Sequence, residues 1–214
     1  MTTSKILTYS DIRKKIGEQR AHLLLGNGFS IACNPIFQYE KLYDNAVSAG
    51  LSQRAQKVFS RIGTNNFEAV MRLLRDGHWL AKTYRLTSGK KSDMLRDLRV
   101  IKKTLVEAVA HSHLEHTGHI ASERKDAARA FLAPYHDVFC TNYDLLAYWV
   151  NMHGDKAMFE DGFRADPEDP TSKALVFSEH IGGGAGMYFI HGALHLFVER
   201  GWIKKHSWVR SGQR

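Results

Sequence analysis

The chain has 214 residues, is 43% hydrophobic and carries a formal charge of +8. That composition supports one sizeable core. No apolar run approaches the roughly 20 residues that a spanning helix needs, and the N-terminus has no apolar block of the secretory kind, so a soluble cytoplasmic protein with no membrane partner is expected.

In chain order, Tyr9 to about Gln19 reads as a short helix started by Ser10, with Ile12 and Ile16 four apart. His22 to Leu25 reads as a first strand. It runs into a glycine turn, Gly26-Asn27-Gly28-Phe29-Ser30, after which a helix is expected. From about Phe37 to Ala133 the pattern is helical, too long for an ordinary crossover, and reads as an insertion packed on the sheet or as a lid. Phe67, Val70, Met71 and Leu74 share one face, with Asn66 or Thr64 as cap. Leu98, Ile101, Leu105 and Val109 share another. Breaks are expected at Gly77 and across Thr87-Ser88-Gly89-Lys90-Lys91-Ser92.

After Pro134, Asp137 to Cys140 reads as a second strand. Leu145, Leu146, Tyr148 and Trp149 fit a buried helix beginning near Asn142. Asp161-Gly162-Phe163 and Asp166-Pro167-Glu168-Asp169-Pro170 read as turn and loop. Leu175-Val176-Phe177 and Met187-Tyr188-Phe189-Ile190 are expected to pair as strands across the glycine run 182–186, which lacks the Lys-Ser or Lys-Thr of a phosphate loop. The fold class is therefore α/β: a single domain over 1–214, with a Rossmann-like parallel sheet flanked by helices and a large helical insertion between the first and second motif strands. Leu194, Leu196, Phe197, Trp202 and Trp208 read as the start of a continuing domain.

The two cysteines, Cys33 and Cys140, exclude a disulfide framework and a four-cysteine zinc site, and each reads as a small buried hydrophobe. The basic pairs Lys14-Lys15, Lys90-Lys91, Lys102-Lys103 and Lys204-Lys205 are scattered, which favours a solvated basic surface over a dedicated nucleic-acid face. His111, His113, His116 and His119 read as a solvated helix end or loop rather than a metal site.

Three segments remain. Leu23-Leu24-Leu25, Val138-Phe139-Cys140 and Tyr188-Phe189-Ile190 each lead into a polar or turn-forming segment: the glycine turn, Thr141-Asn142-Tyr143-Asp144, and His191-Gly192. In open α/β sheets ligands sit beyond the carboxyl ends of the strands, so one shared site is expected there. Gly26-x-Gly28 begins a dinucleotide fingerprint, but Ile31 holds the third glycine position. Taken singly, Asn142 also fits a helix cap, Asp144 a cap of the helix that starts there, and His191 a turn residue.

Together the segments resemble the sirtuin superfamily. Gly26-Asn27-Gly28-Phe29-Ser30, continued by Cys33-Asn34-Pro35-Ile36-Phe37, is similar to its Gly-Ala-Gly-hydrophobic-Ser turn with a following proline and phenylalanine. Thr141-Asn142-Tyr143-Asp144 resembles its Asn-hydrophobic-Asp motif, and His191-Gly192 its catalytic His-Gly. With Asn66-Phe67-Glu68 and Asp161-Gly162-Phe163, the chain looks like the zinc-free, sirtuin-like NAD hydrolases of bacterial anti-phage defence.

The resemblance implies NAD as substrate and no metal. Asn142, His191 and Asp144 would be catalytic, and Gly26, Asn27, Gly28, Phe29, Ser30, Thr141 and Gly192 would contact NAD. Asn142 would hold a ribose hydroxyl or the attacking water, and His191 would act as general base. ADP-ribose and a cyclic product both stay open. The superfamily has further parallel strands after the histidine that grip adenosine, and these are expected to be missing. That implies a homo-oligomer or a partner chain completing the sheet. The rival functions are a module that binds NAD or ADP-ribose without turnover and, less favoured, a nucleic-acid-binding protein.

Overall fold

The computed structural model describes residues 6–17, 20–35, 39–178 and 183–206. It shows a mixed α/β protein with a three-stranded parallel sheet and a separate four-stranded antiparallel sheet.

Helix α1, Tyr9–Ile16, begins at Tyr9 as expected, but Ser10 does not start it. Thr8 is the cap, its hydroxyl accepting from Asp11 N while the Asp11 carboxylate accepts from Thr8 N in return. Strand β1, Ala21–Leu25, follows, and α2 spans Asn27–Cys33. The helical stretch is then α3 (Tyr39–Ser48), α4 (Gln53–Ile62), α5 (Phe67–Thr83), α6 (Ser88–Ser112), a 3-10 turn and α7 (Ser122–Leu132). Asn66 caps α5 by accepting from Ala69 N. Gly77 does not break this helix. It lies inside α5, and the break falls just before α6, where Arg85 takes a left-handed φ of 52°.

Strand β2, Tyr135–Cys140, pairs in parallel with β1 and with β5, Met187–Phe189, in the order β1-β2-β5. Leu25, Cys140 and Phe189 align, so all three strands end level. Leu25, Val138, Cys140 and Met187 face a core closed by Ala128 and Leu132 of α7 and by Ala147 and Val150 of α8, Leu146–Asn151. Helices α3 to α6 bury a second core of their own around Phe59, Phe67, Ile101 and Leu105. Tyr143 and Leu194, from the strand-end loops, pack against it.

The antiparallel sheet corrects two expectations. Strand β4, Ala174–Phe177, does not pair with β5. It lies between β3, Phe163–Ala165, and β7, Trp202–His206, with β6, Leu196–Glu199, on the outer side of β7. The glycine run therefore links two sheets instead of turning one hairpin; Gly182 lies outside the described residues. Residues 196–206 form the β6–β7 hairpin of this sheet. Lys204 and Lys205 are not solvated either: both are buried, Lys204 on Asp166 and Glu199 at 3.0 Å each and Lys205 on Asp161. Trp208 lies outside the described residues. No helix among the described residues is long and apolar enough to cross a membrane.

Candidate nucleotide site at the strand ends

Beyond Leu25 the chain enters α2 at once, with Gly26 as its cap in extended backbone, φ −110° and ψ −174°. Gly28, Phe29 and Ser30 thus lie inside a helix that the sequence reading placed after them. Neither Gly26 nor Gly28 takes a positive φ, so turn geometry does not require glycine there. Nor does packing require it: a Cβ on either would meet no atom within 4 Å. Gly192 is different, for its φ of +80° makes the turn after His191 one that glycine adopts without strain.

Thr141 ties the ends of β1 and β2 together, its N–H and its hydroxyl both donating to Leu25 O at 3.0 and 2.9 Å. Asn142 follows. Its Nδ2 donates to Gly26 O at 3.2 Å and to Ser30 Oγ at 2.7 Å, and Ser30 Oγ donates in turn to Asp144 Oδ2 at 2.5 Å. Asp144 Oδ1 accepts from Leu146 N at 2.8 Å, so the carboxylate starts the α8 turn as well as ending this chain of bonds. Asn142 does not cap a helix. Both amide hydrogens are used, its carbonyl oxygen takes no hydrogen bond among the described residues, and the residue lines a cleft.

That cleft runs between the strand ends and the helical module, lined by Asn27, Thr141, Asn142 and Asp144 on one side and Phe67 and Glu68 on the other. Burial pushes the Asp144 carboxyl above its ordinary range, against the lowering effect of the Ser30 hydroxyl, Leu146 N–H and His113. Burial also pushes up both thiols, Cys140 to about 12, so neither is a nucleophile near neutral pH.

His191 stands at the rim. Its Nδ1 is 3.6 Å from Glu68 Oε1, and its ring stacks on Tyr143 with centroids 6.2 Å apart. With Gly192 it lines a neighbouring apolar groove beside α6 and β6, so Glu68 and Tyr143 connect it to the Asn142 cleft. Gly26, Gly28 and Phe29 open onto a third groove, between β1 and α7. The ten residues read from the sequence thus gather at one sheet edge, but around adjoining clefts.

Two histidines were missed. His113 is not a solvated residue of its cluster: Nδ1 donates to Leu114 O, Nε2 accepts from Leu145 N at 2.8 Å, and Trp149 lies edge-on at 4.8 Å. It holds the loop that follows Asp144. His195 is buried between Tyr148 and Phe189, and neither ring nitrogen has a hydrogen-bond partner among the described residues. Burial chiefly, and then Lys205, lower its pKa to about 4. No local pattern in the sequence marks it.

The family described as Domain of unknown function (DUF4917) matches residues 23–208. The chain belongs to that family. No curated protein and no solved structure matches it. The match takes in all three strand ends.

Proposed function

We propose that this DUF4917 chain is a sirtuin-like NAD hydrolase built on a Rossmann-like sheet, cleaving the nicotinamide–ribose bond to give nicotinamide and ADP-ribose. Its proposed role is bacterial anti-phage defence through depletion of cytoplasmic NAD. The observation that carries this reading is Asn142, a residue of the cleft lining: its donors are spent on Gly26 and Ser30, which leaves its carbonyl oxygen as the acceptor for a ribose hydroxyl or for water.

The cleavage has an oxocarbenium-like transition state and a good leaving group, so the protein has to orient the sugar, exclude competing solvent and supply a base. Glu68, within 3.6 Å of His191 Nδ1, favours the tautomer that carries its proton there. Nε2 is then the basic nitrogen, placed to take a proton from water or a ribose hydroxyl. The backbone beside Gly26 and Gly28 leaves room for the diphosphate. Asp144 and Ser30 hold Asn142 in place. No metal takes part in this scheme.

Incubating the purified chain with NAD and following nicotinamide tests the proposal. Release is expected from wild type and not from His191→Ala or Asn142→Ala; no release from wild type in any assembly state overturns it. Assembly, as a homo-oligomer or with a partner chain completing the sheet, is part of the proposal. Its support is β1, whose outer edge pairs with no strand among the described residues and whose Leu24 is 67% exposed.

A second reading is favoured by the separation of His191 and Asn142 into adjoining clefts: a module that binds NAD or ADP-ribose without turnover. Calorimetry with ADP-ribose, showing binding where no nicotinamide is released, selects it. A nucleic-acid face loses support from the burial of Lys204 and Lys205 in ion pairs.

A further inference from the structure

At the other end of the parallel sheet, away from the candidate nucleotide site, His22, His136 and Asp137 bring ligand atoms within 4.8 Å of one another. The backbone explains why they converge. β1 and β2 run in register from His22 paired with Asp137 onward, but Ala21 pairs with Tyr135, so His136 is one residue too many in β2. Such a bulge re-aims a side chain. Here it lets two consecutive residues, His136 and Asp137, approach the same neighbour on β1.

Asp137 is the centre of the group. Its Oδ2 is 2.9 Å from His22 Nδ1, its Oδ1 is 3.1 Å from His136 Nδ1, and Oδ1 also accepts from Gly186 N at 3.0 Å. The His136 contact is out of line for a hydrogen bond, so the buried His136 Nδ1 has no hydrogen-bond partner among the described residues. A buried ring nitrogen without a donor or acceptor, next to an anchored carboxylate and a second imidazole, has the geometry of a ligand set.

We propose that His22, His136 and Asp137 bind a divalent transition metal of the zinc class. Two imidazoles and one carboxylate suit zinc or cobalt and not magnesium or calcium, which favour oxygen. Bonds of about 2.0 to 2.1 Å place tetrahedral ligand atoms about 3.3 Å apart; with one oxygen of Asp137 as ligand, the three ligand atoms start within 4.8 Å of one another, and the half-exposed His22 swings in to close the set. The remaining position opens to water on the His22 side. The Gly186 N–H supplies the outer contact that fixes the carboxylate. Arg20, whose guanidinium lies against His136 Nε2, competes with the metal. Donation from Arg20 requires a lone pair on Nε2 and so keeps the proton on Nδ1, whereas a metal at Nδ1 requires the reverse.

Titrating the full chain with Co²⁺ and reading its visible absorption tests the site. One equivalent with a low-coordinate spectrum is expected, displaced by Zn²⁺ and not by Mg²⁺. His136→Gln, His22→Gln and Asp137→Asn should each weaken binding roughly tenfold or more, while a His116→Gln/His119→Gln double variant, which removes the ring pair 4.2 Å apart in the 3-10 turn, should bind as wild type does. Arg20→Ala should tighten binding. No spectrum in excess Co²⁺, a spectrum that survives His136→Gln and His22→Gln, or its loss in the double variant overturns the proposal, as does weaker binding by Arg20→Ala. NAD cleavage is not a readout here, so failure of this site and failure of the hydrolase reading are separate results.

Discussion

Two of the buried polar networks among the described residues are built differently. At the ends of the parallel strands, Asn142, Ser30 and Asp144 are joined by an amide, a hydroxyl and one carboxylate that burial pushes towards its neutral form. Between the strands of the antiparallel sheet and the loops around it, whole charges are buried: Lys205 on Asp161, and Lys204 on Asp166 and Glu199. The ionic network is spent on itself, each ammonium facing its own carboxylates. The strand-end network has, among the described residues, an unused acceptor on Asn142, which lines a cleft. Spare hydrogen-bonding capacity, not the number of polar groups, separates a candidate site from a structural clasp.

The sharpest way to break the contrast is to remove one partner from each. Asp161→Ala leaves Lys205 buried without its carboxylate and should cost about 3 to 5 kcal/mol in chemical denaturation, whereas the Asp161→Leu/Lys205→Met double variant should recover most of that loss. An Asp161→Ala loss below about 1 kcal/mol would show that the pair is solvated and the contrast false.

Next in size is the pH response of His195, which packs on Tyr148 beside Lys205. Its pKa in the fold is about 4 against an ordinary 6.5, so the unfolded chain takes up this proton first. The stability tied to its neutral form is present in full above about pH 6.5 and is lost as pH falls towards 4, a change of about 3 kcal/mol. His113, lowered by burial, contributes in the same direction, and Asp144, raised by burial, in the opposite one. His195→Phe isolates the effect: subtracting its stability profile from that of wild type should leave a slope only between pH 4 and 6.5. A flat difference would place His195 in contact with water.

The same two networks mark how much the sequence discloses. The strand-end residues were legible because each follows an apolar run, and the polar type that interrupts such a run is a local signal. Ser30 was legible as part of a motif, but its place as the hydroxyl between Asn142 and Asp144 depends on α2 starting at Asn27, a boundary that glycine-rich sequence leaves open. The antiparallel sheet was misread because pairing is not local. Leu175-Val176-Phe177 fits a strand wherever it docks, and only the tertiary fold takes it to β7 instead of β5. Lys204-Lys205 looked like surface because Asp166 and Asp161, the buried acids that neutralise them, come from loops about forty residues earlier in the chain.

Ser30→Ala tests the strand-end network directly. It leaves Asp144 Oδ2 without its donor and Asn142 Nδ2 with Gly26 O alone, which should cost about 1 to 3 kcal/mol. On the hydrolase reading nicotinamide release should fall further than that stability loss accounts for, because the oriented carbonyl of Asn142 is no longer fixed. Equal release by the folded variant would detach the network from the chemistry.

The smallest expected change in stability is at Glu68, on the rim beside the strand-end network. Glu68 and His191 are both part-exposed and 3.6 Å apart, so the pair contributes little to folding, and Glu68→Gln should shift stability by less than about 0.5 kcal/mol. If Glu68 sets the His191 tautomer, the same variant should slow NAD cleavage by roughly ten- to a hundredfold through kcat, with KM nearly unchanged, because the lost orientation is felt when the proton moves. A structural contact would do neither. A fall in kcat with no fall in stability is therefore the result that ties the helical module, which supplies Glu68, to chemistry at the end of the parallel sheet; full activity in Glu68→Gln would leave that module as packing alone.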